Sequence, residues 1–348
     1  MRFPLIVLVL IAHSAGGAVS SLQWPSDDMG GTFVFVSEMI SRHLCPIGVC
    51  WFYIFSGYFF FRNLQDGDFC MRWVLDKWKK RSRSLLIPFV FWNLLVVLFS
   101  LVISKAYVLF GIVPTSDPIE VVNGGPLYWF LTGPADFPLY FLRDLMIMSF
   151  AAPVIYHAAK KTPVLSLVVL MVFYLSCLTP AIPHWRSVFF FSLGAWLGIH
   201  KCNLLSLCRK MRIPAAIFAI LLLPLSTFLI GHPSHELVRR LFFPFGMITM
   251  MNICDRWINN EKVLTRLSSL SATVFFIFAA HEVFILGWTK GTFLRIFGNS
   301  LTGMWISYLF VPWIVLGICL GLYWILNKLF PKTLAFVCGG RLATLSVR

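Results

Sequence analysis

Residues Met1 to Gly17 read MRFPLIVLVLIAHSAGG, an apolar run interrupted by Arg2 at its start and His13 most of the way along. If the run is helical, the eleven-residue spacing is almost three turns. Both side chains then lie on one face, roughly 16 Å apart along the axis. A fixed cation would stand at one membrane surface and a titratable imidazole deep inside, on the same stripe. An ionisable residue at that depth is costly and by default marks a site or a pathway. Two plainer readings fit the same residues. A cleavable signal peptide has this anatomy, with a basic start, a short apolar core and the small residues Ser14 to Ser20. A histidine that caps a neighbouring helix is the other.

The rest of the chain continues the pattern. Of 348 residues, 59% are hydrophobic and only 12% charged, with a mean hydropathy of +0.82. That excludes a soluble domain. Apolar runs of about 18 or more residues recur from end to end, each long enough to cross the hydrocarbon core. No polar stretch is long enough to fold in water, so 1–348 reads as a single transmembrane domain. The nine cysteines follow neither disulfide nor metal spacing. Most sit inside apolar runs, where Cys behaves as a small hydrophobe, so neither a disulfide nor a metal site is expected.

The runs predict an all-α integral membrane protein of about ten transmembrane helices. The first is followed by Phe33–Phe61, a basic loop over Arg62–Ser84, then Leu85–Phe110 and a polar connection over Gly111–Phe137 that lacks Lys and Arg. Further spans cover Pro138–Lys161, Val164–Leu178, Ser187–Ile199, Ile213–Ile230, Leu241–Cys254, Leu270–Trp288 and Met304–Leu326. With the N-terminus cytoplasmic, most of the 29 Lys and Arg residues fall on the inner side, including the run Lys79, Lys80, Arg81, Arg83. Charge bias of this kind orients membrane proteins, and it puts both termini in the cytoplasm. It also explains the net charge of +15 without nucleic acid.

Polar residues inside the spans are the candidate chemistry. Glu38 and Arg42 have the i,i+4 spacing of an ion pair near the outer surface. Ser56 and Gly57 form a small pair between aromatics that admits a second backbone or a ligand tail. Arg143 and Asp144 are adjacent and point about 100° apart, so each should seek a partner on another helix or a ligand. An intramembrane Arg suits a phosphate or carboxylate. His281 and Glu282 stand in an otherwise aromatic and aliphatic run, and with His13 they give two imidazoles at a similar depth. Imidazole is the side chain best suited to moving protons near neutrality. His232 and His235 read as solvent-exposed loop residues. His157, His184 and His200 stand at span ends and carry no argument.

Taken in order, these motifs resemble the acyltransferase-3 family of multi-spanning membrane acyltransferases, in its form without an appended soluble domain. The resemblance rests on Arg2 and His13 in the first helix, FYIFSGY (Phe52–Tyr58), KKRSRSLLIPFVFWN (Lys79–Asn93), PLYFLRDL (Pro138–Leu145), FFFSLGAWLG (Phe189–Gly198), FIFAAHEVF (Phe276–Phe284) and PKTLAFVCGGR (Pro331–Arg341). Members usually carry several residues ahead of the Arg, whereas here Arg2 follows Met1, and Tyr140 stands where Trp is common. The resemblance implies a retained first helix. It also implies transfer of an acyl group, usually acetyl, from coenzyme A to a cell-envelope glycan or a lipid-linked precursor in the cytoplasmic membrane. No bound cofactor is expected; acetyl-coenzyme A is the donor substrate. His13, Arg2, His281 and Glu282 are then catalytic candidates, with His13 as general base or transient acyl acceptor. Arg143, Asp144, Ser56, Tyr58, Lys80, Arg81 and Arg83 are candidates for donor or substrate binding, although positive-inside charge alone accounts for much of the basic run. The competing expectation is a secondary transporter or flippase, in which buried His, Glu and Arg carry protons and substrate.

Overall fold

The computed structural model describes residues 2–15, 29–65, 67–111, 125, 128–129, 132–176, 182–258 and 260–340, and among these residues there is helix and no strand. Helix α1 (Arg2–Ser14) is followed by α2 (Met29–Glu38), a π-helical turn over Met39–Leu44, and α3 (Ile47–Phe61). Helix α4 (Met71–Arg81) runs through a second π turn, Ser82–Leu86, into α5 (Ile87–Phe110). A 3-10 turn at Phe137–Leu139 opens α6 (Tyr140–Phe150), which leads to α7 (Ala152–Lys161), α8 (Pro163–Leu175) and α9 (Trp185–Ile199). Then come α10 (Leu204–Lys210), α11 (Arg212–Phe228), α12 (His235–Ile258) and α13 (Glu261–Leu270). Helix α14 (Val274–Ala280) passes through a third π turn, His281–Ile285, into α15 (Leu286–Phe297), and α16 (Leu301–Leu329) and α17 (Pro331–Val337) complete the order.

Five stretches are long and apolar enough to cross a membrane: Gly30–Phe61, Met71–Phe110, His235–Trp257, Val274–Phe297 and Leu301–Leu329. Two bent pairs bring the number to seven if each is one span. They are Phe137–Phe150 with Ala152–Lys161, bent by 60°, and Trp185–Ile199 with Leu204–Lys210, bent by 108°. Helices α1, α8 and α11 are apolar but shorter. The runs read from hydropathy are helical where described, and among the described residues length and composition support five to seven spans of the ten expected.

The basic stretch Arg62–Ser84 is not the loop that its charge suggests. From Met71 it is helical and continuous with α5. Val74 on this helix is buried while Lys79 and Lys80 face outward, and the Trp78 indole donates to the Ser149 carbonyl at 2.8 Å. Charge marked the exposed face and hid the buried one.

The closest helix crossing joins α3 to α9. A Cβ added at Gly57 would stand 2.1 Å from the Phe191 carbonyl oxygen, and one at Gly194 would stand 2.1 Å from that of Ile54. Without a hydrophobic driving force between helices in lipid, small residues that let backbones approach are what binds them. Gly57 is thus a packing residue. Helix α1 is equally interior: Leu5, Ile6 and Leu10 are wholly buried, and Ile6, Val9 and Leu10 pack with Val311 and Val315 of α16 and Ile277 of α14. That is the burial of a core helix, not of a removable leader.

Candidate active site

Helix α1 carries its two ionisable residues, Arg2 and His13, at opposite ends. At the Arg2 end lies a cavity of about 1020 Å³ lined by Arg2, Ser56, Arg81, Thr265 and Ser268, and further in by Phe52, Phe141 and Phe278. Arg81 is held in place by a bond from Nη2 to the Ser56 carbonyl, 3.3 Å, and by the face of Phe60, 5.5 Å from the guanidinium. Amphipathic α13, capped by the Asn260 side chain accepting from the Val263 amide at 3.2 Å, supplies the hydroxyl-bearing wall. The inner end is aromatic. The Phe141 ring lies 6.0 Å from Phe52 and 5.6 Å from Phe278.

One turn beyond Phe278 the residues that sequence singled out come together. The rings of His13 and His281 are 5.3 Å apart, edge to face. His13 Nδ1 is 3.6 Å from Glu282 Oε2, and His281 Nε2 is 3.8 Å from the same oxygen. His281 is fully buried, and its Nδ1 lies 3.0 Å from the Ile277 carbonyl and 2.8 Å from that of Phe278. Both partners are acceptors, so Nδ1 carries the proton and Nε2 presents a lone pair. Neither His281 Nε2 nor Glu282 Oε2 has a hydrogen-bond partner among the described residues.

The π turn is what aims these groups. Inside it Val283 (φ −67°, ψ 81°) and Phe284 (φ 61°, ψ −24°) leave helical geometry. A bulky residue at positive φ is strained, and such strain, typically about 1–3 kcal/mol, collects at functional sites. The break turns Glu282 toward α1 and lets α15 return with Lys290, whose ammonium donates to the His13 carbonyl. The Phe137 ring packs 6.1 Å from His13 on the far side. Next to it Asp136 is 2% exposed, its carboxylate oxygens have no hydrogen-bond partner among the described residues, and its amide donates to Asn93 Oδ1 at 3.3 Å. Burial, and then the charge of Glu282, push its carboxyl well above the usual range.

Other sequence candidates are placed elsewhere. Arg143 and Asp144 were expected to seek separate partners because neighbouring helix positions diverge, yet Arg143 Nη2 folds back onto Asp144 Oδ1 at 3.0 Å. The guanidinium reaches far enough to overcome the divergence. Its Nη1 also donates to the Thr132 carbonyl at 2.6 Å, while Asp144 Oδ2 accepts from the His184 amide and from Ser187 Oγ, and meets His184 Nδ1 at 2.9 Å. Both are buried and bonded to protein partners, and neither is among the residues lining the cavity at the Arg2 end. The contacts with Asp144 correct the reading of His184 as uninformative. Tyr58 donates to the Cys202 carbonyl at 3.0 Å and is not among the cavity's lining residues, whereas Ser56 is. Lys80 and Arg83 are exposed and outside that lining; Arg81 is the member of the basic run that enters it. Glu38 and Arg42 pair at 3.2 Å as their spacing predicts. His235 is not a loop residue: it opens α12 and its Nε2 is 2.9 Å from that of buried His43. The polar connection Gly111–Phe137 lies mostly outside the described residues.

Sequence reasoning missed Lys290 and Asp136. Lys290 lies eight residues after Glu282, a spacing that returns it to the same side of a helix, but the intervening break hides the relation. Asp136 carries no local signal, standing in a Gly-Pro-Ala-Asp turn ahead of a span.

Fold and site together define a multi-pass helical membrane protein with an imidazole–carboxylate centre inside its helix layer. The chain belongs to the acyltransferase-3 family: the family described as an acyltransferase domain matches residues 1–326. It is an acyltransferase. A curated relative, the succinoglycan biosynthesis protein ExoH of Rhizobium meliloti (strain 1021), is 26% identical over 327 residues, covering 88% of this chain and 82% of that protein. No solved structure matches the chain.

Proposed function

We propose that this enzyme moves a short acyl group, acetyl above all, from coenzyme A to a hydroxyl of a cell-envelope glycan or its lipid-linked precursor. The observation that carries the reading is a juxtaposition: a cavity lined by Arg2 and Arg81 reaches Phe278, one turn before His281, which stands with His13 and Glu282, and the reading joins the two as one donor path. Coenzyme A is an anionic, water-soluble donor, and guanidinium groups suit its phosphates. The glycan class comes from the relative's printed role in succinoglycan biosynthesis. The same reading has ten spans, with α1, α8 and α11 crossing as short helices, both termini cytoplasmic and the protein in the inner membrane. The cavity then opens to the cytoplasm and the histidine cluster faces outward.

The acceptor hydroxyl binds between the two imidazoles. The lone pair on His281 Nε2 and the Glu282 carboxylate compete for its proton as it attacks the thioester carbonyl. Lys290, anchored on the His13 carbonyl, is placed to offset negative charge that grows there. The C–S bond breaks, and the thiolate leaves down the path and takes up a proton to give free coenzyme A. His13 either joins that pair of bases or first attacks the thioester itself and passes the acyl group to the hydroxyl, and the test separates the two. Inverted vesicles are given acetyl-coenzyme A labelled in the acetyl group. Label should enter the glycan and lipid-linked fraction with the wild type and vanish with His13→Ala. Hydroxylamine-labile label on the protein itself, lost in His13→Ala, marks a carrier, and absence of protein label marks a base. Wild-type transfer by His13→Ala would sink the mechanism, and no label with either protein would sink the donor assignment.

A further inference from the structure

We propose that His13, His281 and Glu282 also bind one zinc-type divalent cation, which holds the transferase inactive while it is bound. The binding claim stands on the geometry, and the inhibitory claim rests on the transferase reading above.

The three side chains offer one ligand atom each, and these atoms lie within 4.8 Å of one another. Two of the separations are 3.6 and 3.8 Å. Tetrahedral zinc with bonds of about 2.0–2.1 Å holds its ligands some 3.4 Å apart, so the triad must close by only about an ångström. The tautomer is already set. His281 spends its Nδ1 proton on two backbone carbonyls, the outer support that metal-bound imidazoles usually have. What remains is a pair of acceptor atoms without donors, His281 Nε2 in a fully buried residue and Glu282 Oε2 in a half-buried one. A cation satisfies such a pair at once. Two imidazoles and one carboxylate favour zinc over magnesium or calcium, which take oxygen. The fourth position stays open, as in exchangeable rather than structural sites.

Inhibition follows from atom use. The lone pairs that a cation occupies are those that would take the acceptor's proton. Lys290 works against occupancy, because its ammonium stands on the His13 carbonyl within the same cluster. Metal and lysine charge compete for Glu282, so occupancy is adjustable, not permanent. Cysteine counting missed such a site because its ligands come from α1 and the α14–α15 break, far apart in sequence.

The full chain, purified in detergent, is titrated with Co²⁺ and the visible absorption of tetrahedral cobalt is followed, with Zn²⁺ added as competitor. We expect one equivalent of cobalt, displaced by zinc, and affinity weakened at least about 10-fold in Glu282→Gln and His281→Ala. Lys290→Met should bind several-fold tighter, a gain that misfolding cannot produce. In vesicles, acetyl transfer should fall as zinc fills the site and return on chelation. Absence of the tetrahedral band, or a band that none of the substitutions changes, would overturn the site. Zinc that binds yet leaves transfer unchanged or faster would overturn the inhibitory role. If no transfer is seen under any condition, the transferase reading fails, and the cobalt titration still decides the site.

Discussion

His281 is the residue whose chemistry the backbone sets most completely. Two carbonyls fix its proton on Nδ1, full burial keeps water from the other nitrogen, and Glu282 follows it directly across a broken helix. If the pair shares the acceptor's proton, Glu282→Gln should lower kcat by at least about 100-fold, in the range that a positioned base contributes. The KM for acyl-coenzyme A should hold, because the donor cavity lies beyond Phe278. A KM that rose with kcat intact would place Glu282 in donor binding instead. These residues were legible because charge and imidazole are conspicuous inside apolar runs. Arg143 was conspicuous for the same reason and Tyr58 through the FYIFSGY motif, and they proved to be tied to Asp144 and Thr132 and to Cys202. Sequence shows that a buried polar group must be satisfied; it does not show whether protein or ligand satisfies it. Asp136 and Lys290 had no such signal, since each acquires its meaning from a helix distant in the chain.

At the level of elements, apolar length disclosed every helix of the membrane layer but not its breaks. Periodicity cannot distinguish an α turn from a π turn, because one added residue per turn leaves composition unchanged. The Met39–Leu44 turn, which presents His43 to His235, and the His281–Ile285 turn, which presents Glu282, were therefore invisible. Helix α4 was hidden for the opposite reason, its lysines outweighing a narrow buried stripe. The α3–α9 crossing was half legible: the Ser56-Gly57 pair announced close approach without naming the partner. That crossing makes a sharp prediction. Gly194→Val drives side-chain carbon into the Ile54 backbone, whereas Gly287 has nothing within 4 Å of an added Cβ. Overpacking costs typically about 1–3 kcal/mol when side chains can move, and a backbone collision should reach or exceed the upper end. Gly194→Val should lower the melting temperature in detergent or abolish monodisperse protein, while Gly287→Ala should do neither. Equal behaviour of the two would mean that α3 and α9 do not touch as described.

Across the whole molecule the proposed donor route orders function by depth: cations at the mouth, rings in the middle, imidazoles at the end. Arg2→Gln and Arg81→Gln should therefore raise the KM for acyl-coenzyme A several-fold, more at low salt, while Lys80→Gln and Arg83→Gln, which lie outside the cavity lining, should leave it near wild type. The rings make a separate claim about donor choice. Phe52, Phe141 and Phe278 line the cavity and lie close together, with Phe278 one turn before His281, so on the proposed donor route the acyl group, not the coenzyme, has to pass them. A narrow apolar passage discriminates by size, and each methylene that fails to fit is worth about 1–3 kcal/mol. Wild type should then use acetyl-coenzyme A well and hexanoyl-coenzyme A poorly. Phe278→Ala should raise the hexanoyl-to-acetyl ratio of kcat/KM by about 10-fold, with Phe55→Ala, on the cavity wall nearer the mouth, as the control. A Phe278→Ala enzyme that lost acetyl transfer without gaining hexanoyl transfer would show that the ring supports the His281 carbonyl anchor and does not gauge the acyl chain. An unchanged ratio at full activity would mean that the donor reaches the histidines by another route.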